Sequence, residues 1–516
     1  MSDWGAFSAA LAAALRLVWV VPVLPLFAAV LIALLLLAGR GCGDSGERLS
    51  AALASGTLLG ALVVLAVVDL AALLGVAPGH LVAADWLRIG SVSVRVSFAL
   101  DAYSLPAATL IALVAWITVR FSTRYLHREA GFSRFFLGLA LFAGGMLLIA
   151  LSGNAVMTFV GWELAGFSSW LLVGYAWERP AATASAQFVF VTNRVGDAGF
   201  LLGIGLAVWS AGTLEWAWLA GDGTMATVTA RLLATGFVLA ALVKSAQLPF
   251  TPWITRALEG PTPSSAIFYG SLMVHAGVYL LCRMQDLLLM VPDLLLVIAL
   301  IGLSTAFYAA LCASVQSDVK SALIYPTLAQ VGLMLVFCGL GLFWIAALHA
   351  GLHAAWRVVQ FLLAPAWLNL ARRPARPVPR WLAGRRWLYT AALQRLWIEN
   401  LVYSLLIRPT LALGRDLQGF DAQFIDPLIG TPVDDPHPSR SVVAGGLPHR
   451  PGLAGWALTA VARRLEDVEG QLLMSGDGAL ERVLRRTAGY AGTVEALLEQ
   501  PRYLMLMVMA TFAVIL

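Results

Sequence analysis

Eleven stretches of about twenty mostly apolar residues dominate this chain of 516 residues. They lie near 17–38, 52–75, 99–120, 135–152, 154–176, 186–210, 228–248, 262–283, 291–313, 320–340 and 341–366. A helix rises about 1.5 Å per residue, so each stretch is long enough to cross a hydrocarbon layer roughly 30 Å thick. Inside that layer backbone amides are satisfied only within helices or closed barrels, and runs of this length select helices. Composition agrees: 60% of the residues are hydrophobic and only 12% charged, against roughly 25% charged in a soluble domain. A mean hydropathy of +0.82 makes the bilayer the main solvent, and the expected fold is all-α, a polytopic membrane helix bundle. The first stretch is too long for a signal-peptide core, has no small-residue cleavage site and is followed at once by further spans. It is expected to stay in the mature protein.

The net charge of +5 is too small to suggest nucleic acid and fits an excess of Lys and Arg in cytoplasmic loops. Arg120, Arg124, His127, Arg128 and Arg134 crowd the third connection, whereas the connection 211–227 carries Glu215 and Asp222 and no Lys or Arg. An N-terminus outside satisfies both, and it makes the loop after the eleventh span cytoplasmic. That loop holds Arg372, Arg373, Arg376, Arg380, Arg385 and Arg386. Cys42, Cys282, Cys312 and Cys338 lie far apart with no CxxC spacing, so neither a zinc knuckle nor an iron–sulfur cluster is built from this chain. No cofactor is expected here, and redox chemistry would belong to a partner.

The organisation expected is 1–95 as N-terminal membrane helices, 96–366 as a core, 367–386 as a basic cytoplasmic loop, 387–500 as an amphipathic region and 501–516 as a membrane anchor. A soluble appendage is the alternative for the tail.

An ionisable side chain in mid-span costs about 2.5–3.5 kcal/mol, which makes each one a functional candidate. Glu163 is flanked by apolar residues over two helical turns on its C-terminal side. Asp197 follows Arg194 by three positions, so a local pair could neutralise both. Lys244 comes after some fifteen mostly apolar residues and just before a Pro-containing break, where it could carry protons or cap the freed carbonyls. Its burial would ease proton release, and a nearby carboxylate would oppose it. His275 is a lone histidine of the kind usually packed and hydrogen-bonded. His349 and His353 share a helix face at i,i+4, extended by Arg357. Two histidines leave tetrahedral zinc short of ligands, so a hydrated polar stripe is the expectation and no metal site is drawn. Lys320 opens its span beside Asp318 and could be a flanking charge that snorkels. Together these groups form an alternating titratable chain, the physical requirement of a proton relay. No nucleophile–base constellation or Gly-rich phosphate loop accompanies them.

The segments GWELAGFSSWLLVGY, TNRVGDAG, KSAQLPFTPWITRALEGPTPSSA, VQSDVKSALIYPTLAQVGLM and LHAGLHAAWR resemble the antiporter-like membrane subunits of complex I. The likeness is to the NuoL or chain 5 type, whose relatives serve Mrp sodium/proton antiporters and DabB-type inorganic carbon transporters. It runs from about residue 95 to 366, and WIENLVYSLLIRPTLALGRDLQGFDAQFIDPLIG resembles the start of that family's lateral helix. The resemblance implies proton-relay roles for Glu163 and Lys244 as a pair on adjacent helices, with Asp197, Lys320, His349 and His353 completing the path. It implies the complex I antiporter-like fold with a broken helix in each of two inverted repeats. Tyr269 stands where the family has histidine, with His275 six residues on to compensate. Arg357 stands where it has lysine, and guanidinium cannot deprotonate. Only the first broken helix is found in the sequence, so the second repeat is expected to be truncated.

Three functions follow from the resemblance. One is the non-redox, proton-conducting subunit of a complex I-like assembly, partnered by other membrane subunits. Another is the membrane half of a DabB-type transporter with a large soluble zinc-containing partner on the cytoplasmic side. A structural anchor without conduction is the third, opposed by the cost of retaining Glu163, Lys244 and His353. A Mrp-type sodium/proton antiporter subunit belongs beside them. The expected location is the bacterial inner membrane.

Overall fold

The computed structural model describes residues 11–89, 92–220, 225–370, 378–420 and 464. Among them, ten segments are long and apolar enough to cross a membrane. They are α1 (Val20–Leu37), α2 (Gly43–Leu73), α3 (Ser104–Tyr125), α4 (Phe132–Leu151), α5 (Ala155–Val173), α6 (Pro180–Leu206, extended to Ala211 by a π turn) and α7 (Thr227–Lys244), then, after the short α8 (Pro252–Arg256), the interrupted segment Thr262–Arg283, α9 (Pro292–Ala313) and α10 (Val319–Gly339). The 28-residue α11 (Phe343–Leu370) coincides with the eleventh apolar stretch. The chain divides after Val402 into two units. In the second, a π turn Tyr403–Ile407 leads into an amphipathic helix Arg408–Phe420. Arg372, Arg373, Arg376, residues 421–463 and 465–500 of the expected amphipathic region, and the anchor 501–516 lie outside the described residues.

One element was not anticipated. Residues His80–Ile89 (β1) and Val92–Ala99 (β2) form an antiparallel hairpin, with register irregularities between Val82 and Ala84 and between Asp85 and Leu87. It belongs to a face where alternate connections meet: Phe98 bridges Ser152, and Asn154 bridges Glu215. Arg283 pairs with Asp101, and Tyr103 donates to Gln285 at 3.1 Å. The remaining connections meet on the opposite, basic face. There Glu47 contacts His127 at 2.8 Å, Arg134 donates to the Tyr175 carbonyl at 3.2 Å, and Arg179 pairs with Glu259 at 2.9 Å. This alternation is what a chain of successive crossings requires.

Close approach of small residues sets the core. A Cβ on Gly199 would lie 2.8 Å from the Gly236 carbonyl oxygen, and one on Gly236 would lie 2.7 Å from that of Gly199. Backbone contact of this kind draws helices together in lipid, where no hydrophobic force acts between them. It brings α6, carrying Arg194 and Asp197, against α7, carrying Lys244. A Cβ on Gly277 would collide with the Ala241 carbonyl oxygen, which seats the segment Ala276–Arg283 equally close to α7.

Asp101 shows how the hairpin face is fastened. It accepts from the amides of Tyr103 at 3.0 Å and Ser104 at 2.9 Å at the start of α3, as well as from Arg283. Burial pushes its carboxyl up, but the Arg283 guanidinium and those amides outweigh burial and hold it below the ordinary carboxylate range. Its stabilisation is therefore complete above about pH 3.9 and fades as the pH falls through the lowered value. Asp101→Asn is expected to lower the unfolding midpoint by several degrees at neutral pH. The gap from the unaltered chain should close in acid, as thermal unfolding in detergent would read.

Candidate functional site

Four charged side chains from three helices converge in the core. Arg194 and Asp197 lie one turn apart on α6, and the pair expected from their spacing is formed at 2.8 Å. The other arm of the same guanidinium reaches Glu163 on α5 at 2.7 Å. One arginine thus holds two carboxylates, using the planar fork that suits it to this geometry. Lys244, the last residue of α7, is 1% exposed. Its Nζ donates to the Trp162 carbonyl at 3.3 Å and lies 4.8 Å from the centre of the Trp162 ring. A Cβ on Gly166 would stand 3.3 Å from Lys244 Nζ and 3.5 Å from an Arg194 Nη, so both cations crowd one turn of α5.

The direct Glu163–Lys244 ion pair implied by the resemblance is not formed, because Arg194 occupies Glu163 and Lys244 turns to Trp162. When all four groups are ionised their charges cancel, a condition for keeping them in low dielectric. Arginine cannot give up its proton. The movable proton in this cluster therefore belongs to Lys244 or to the carboxylates.

Beyond Lys244 the helix breaks as the sequence indicates. Pro249 and Pro252 lack the amide hydrogens that a continued helix needs, Ala246 takes a left-handed φ of 53°, and α8 restarts at Pro252. Ser245 Oγ and Gln247 Oε1 are buried here without a hydrogen-bond partner among the described residues. Polar atoms so placed are where ordered water binds. Lys320 does the capping weighed for Lys244: it donates to the carbonyls of Leu258 at 3.4 Å and Gly260 at 3.3 Å.

The following segment is itself interrupted, by a π turn at Ala266–Ser271 and a 3-10 turn at Met273–His275, which its apolar composition did not reveal. In that turn the His275 amide moves to Leu272 O, and the His275 ring takes the Ser271 carbonyl through Nδ1 at 2.8 Å. Its Nε2 lies 2.9 Å from His353 Nδ1, and Arg357 Nε donates to His353 Nε2 at 3.1 Å. His275 is therefore the residue that meets the α11 stripe. Tyr269 instead donates to Ala257 O at 3.1 Å and stacks edge-on against Phe361. His349 sits 6.1 Å from His353, ring centre to ring centre, and bonds Gln330 at 2.9 Å.

These contacts fix the protons. Arg357 can only donate, so His353 accepts at Nε2 and, when neutral, carries its hydrogen on Nδ1. His275 must then accept at Nε2 and donate from Nδ1 to Ser271. Nitrogen-15 NMR of the two rings is expected to show Nδ1 protonated and Nε2 bare in both, and a protonated Nε2 on neutral His353 would rule out the chain.

Residues 152–372 match the model described as NADH:quinone oxidoreductase/Mrp antiporter, transmembrane. Residues 86–136 match the N-terminal model of complex I chain 5. The chain belongs to the antiporter-like membrane subunits shared by these complexes. It is 36% identical over 354 residues to NAD(P)H-quinone oxidoreductase subunit 5 of Nephroselmis olivacea, covering 67% of this chain and 54% of that one. It is 38% identical over 270 residues to NADH-quinone oxidoreductase subunit L of Campylobacter jejuni, covering 52% and 45%. The Mrp complex structure from Dietzia superposes with a TM-score of 0.59 at 25% identity, over 86% of this chain and 45% of that one. The chain spans about half the length of the curated relatives it matches. Glu163, Arg194, Asp197, Lys244, Lys320, His349, His353 and Arg357 all fall inside the 152–372 match.

Proposed function

We propose that this chain is a proton-conducting membrane subunit of a complex I-like assembly, working beside other membrane subunits. The observation that carries the reading is Lys244: a buried ammonium at the end of a broken helix, beside a carboxylate pair whose charge is partly spent on a fixed arginine. Such a lysine responds to any third charge brought near it, because the surrounding dielectric screens weakly. Movement of charge in a neighbouring subunit would alter its hold on the proton. The break borders this lysine with the unused polar atoms of Ser245 and Gln247, and His275, in the segment packed on α7, meets His353 of α11.

Protons suit the site better than sodium. Sodium needs several oxygen ligands, and Arg194 already takes one oxygen of each carboxylate here. No redox group is assigned to this chain, so electron transfer would belong to a partner. The expected setting is a bacterial inner membrane with the basic face cytoplasmic, following the distribution of arginines.

Reconstituted with its native partners, the complex is expected to lose proton-coupled activity in Lys244→Ala and in Glu163→Gln, with membrane abundance unchanged. Full activity in both variants at equal abundance would sink the relay.

A further inference from the structure

A second titratable site lies on the hairpin face, outside the relay just described. Glu215 is 3% exposed. Its Oε2 accepts from Ser97 Oγ at 2.6 Å and lies 3.0 Å from His80 Nε2. Ser97 Oγ is held in turn by Asn154 Nδ2 at 2.8 Å. The His80 side chain, 21% exposed, leans on Trp218 with ring centres 5.3 Å apart. The other charges close by are Arg95, over the same Trp218 ring at 5.7 Å, and Asp85, 3.5 Å from Arg95. A buried carboxylate sharing a proton position with a partly exposed imidazole is a unit that takes a proton from one side and offers it on the other.

Between this unit and Lys244 lies a continuous stack of rings. Trp162, beneath the Lys244 ammonium, packs on Phe200 at 5.4 Å. Phe200 packs on Phe237 at 5.1 Å, and Phe237 on Trp216 at 5.3 Å. Trp216 Nε1 is spent on Thr158 Oγ1 at 2.9 Å. Asn154, Thr158 and Trp162 recur every four residues at one face of α5, so the two ends are about 12 Å apart along its axis. On the break side Lys244 borders buried polar atoms, and on the hairpin side it borders aromatic carbon.

We propose that Glu215 with His80 is a proton-exchange site on the hairpin face, kept apart from Lys244 by the Trp162–Phe200–Phe237–Trp216 stack acting as a dry barrier. In the resting state the carboxylate accepts from Ser97 and His80. A proton arriving through an opened stack binds Glu215 Oε2, passes to His80 Nε2 when that nitrogen is bare, and leaves from the exposed edge of the ring. The inference rests on the relay reading for its proton source.

The test uses the full-length chain in liposomes with a trapped pH dye. Phe237→Ala is expected to raise passive proton flux about tenfold, as the loss of roughly 1.4 kcal/mol of barrier would. Adding Glu215→Gln in that background should return the flux to the unaltered level. An unchanged flux in Phe237→Ala, or a leak that persists after Glu215→Gln, overturns the proposal. A leak that Glu215→Gln stops but Lys244→Ala does not would leave the hairpin-face site standing and sink the relay instead. Should Phe237→Ala fail to accumulate, pH-jump infrared difference spectra of the otherwise unaltered chain decide. A carboxyl band lost in Glu215→Gln and shifted in His80→Gln supports the site, and spectra unchanged in Glu215→Gln overturn it.

Discussion

Everything in the core of this chain is arranged around one arginine between two carboxylates. Arg194 joins α5 to α6 by binding Glu163 and Asp197 together, and it frees Lys244 from a direct partner. A lysine locked to a carboxylate would be held in its charged form by the attraction between them. Here it meets only a carbonyl and a tryptophan ring at close range, with the carboxylates balancing its charge from behind Arg194. The fixed cation makes the cluster neutral overall when all four groups are ionised, and leaves the movable proton to Lys244 or the carboxylates.

The same arrangement explains why the glycines of α6 and α7 matter. Three charged residues on the α5 and α6 faces must stay within reach of the end of α7. Only direct backbone contact at Gly199 and Gly236 lets α7 approach that closely without side chains intervening. The broken helix follows from the same need. Stopping α7 at Lys244 puts the ammonium at the end of a helix, where the unpaired carbonyls favour positive charge.

Much of this was legible in the residues. Apolar length marked the crossings, because no other solvent tolerates eleven such runs. The cost of insertion singled out Glu163, Asp197, Lys244 and the α11 histidines, and the three-residue spacing gave the Arg194–Asp197 pair. The partner of Glu163 was not legible, since it depends on how α5 and α6 are rotated against each other. Nor was the hairpin: in so apolar a chain the two-residue alternation of Val92–Ala99 is masked by its surroundings. The interruption before His275 was hidden for a different reason. A π turn shifts hydrogen-bond partners without any proline or charge to announce it, and it decides that His275 rather than Tyr269 faces His353.

Arg357 gives the histidine pair its direction. Each hydrogen in the chain from Arg357 through His353 and His275 to Ser271 points the same way, and the guanidinium end cannot reverse. A proton can bind His353 at Nε2 only after Arg357 Nε withdraws from it, and the imidazolium so formed repels the guanidinium. Holding Arg357 and holding a proton are therefore mutually exclusive states of His353. A lysine in the same place could hand over its own proton and let the chain run through. In the proposed relay the arginine would instead make the position of one side chain on α11 the condition for passage, and Gln360, which accepts from Arg357 Nη1 at 2.8 Å, holds the guanidinium from its other side.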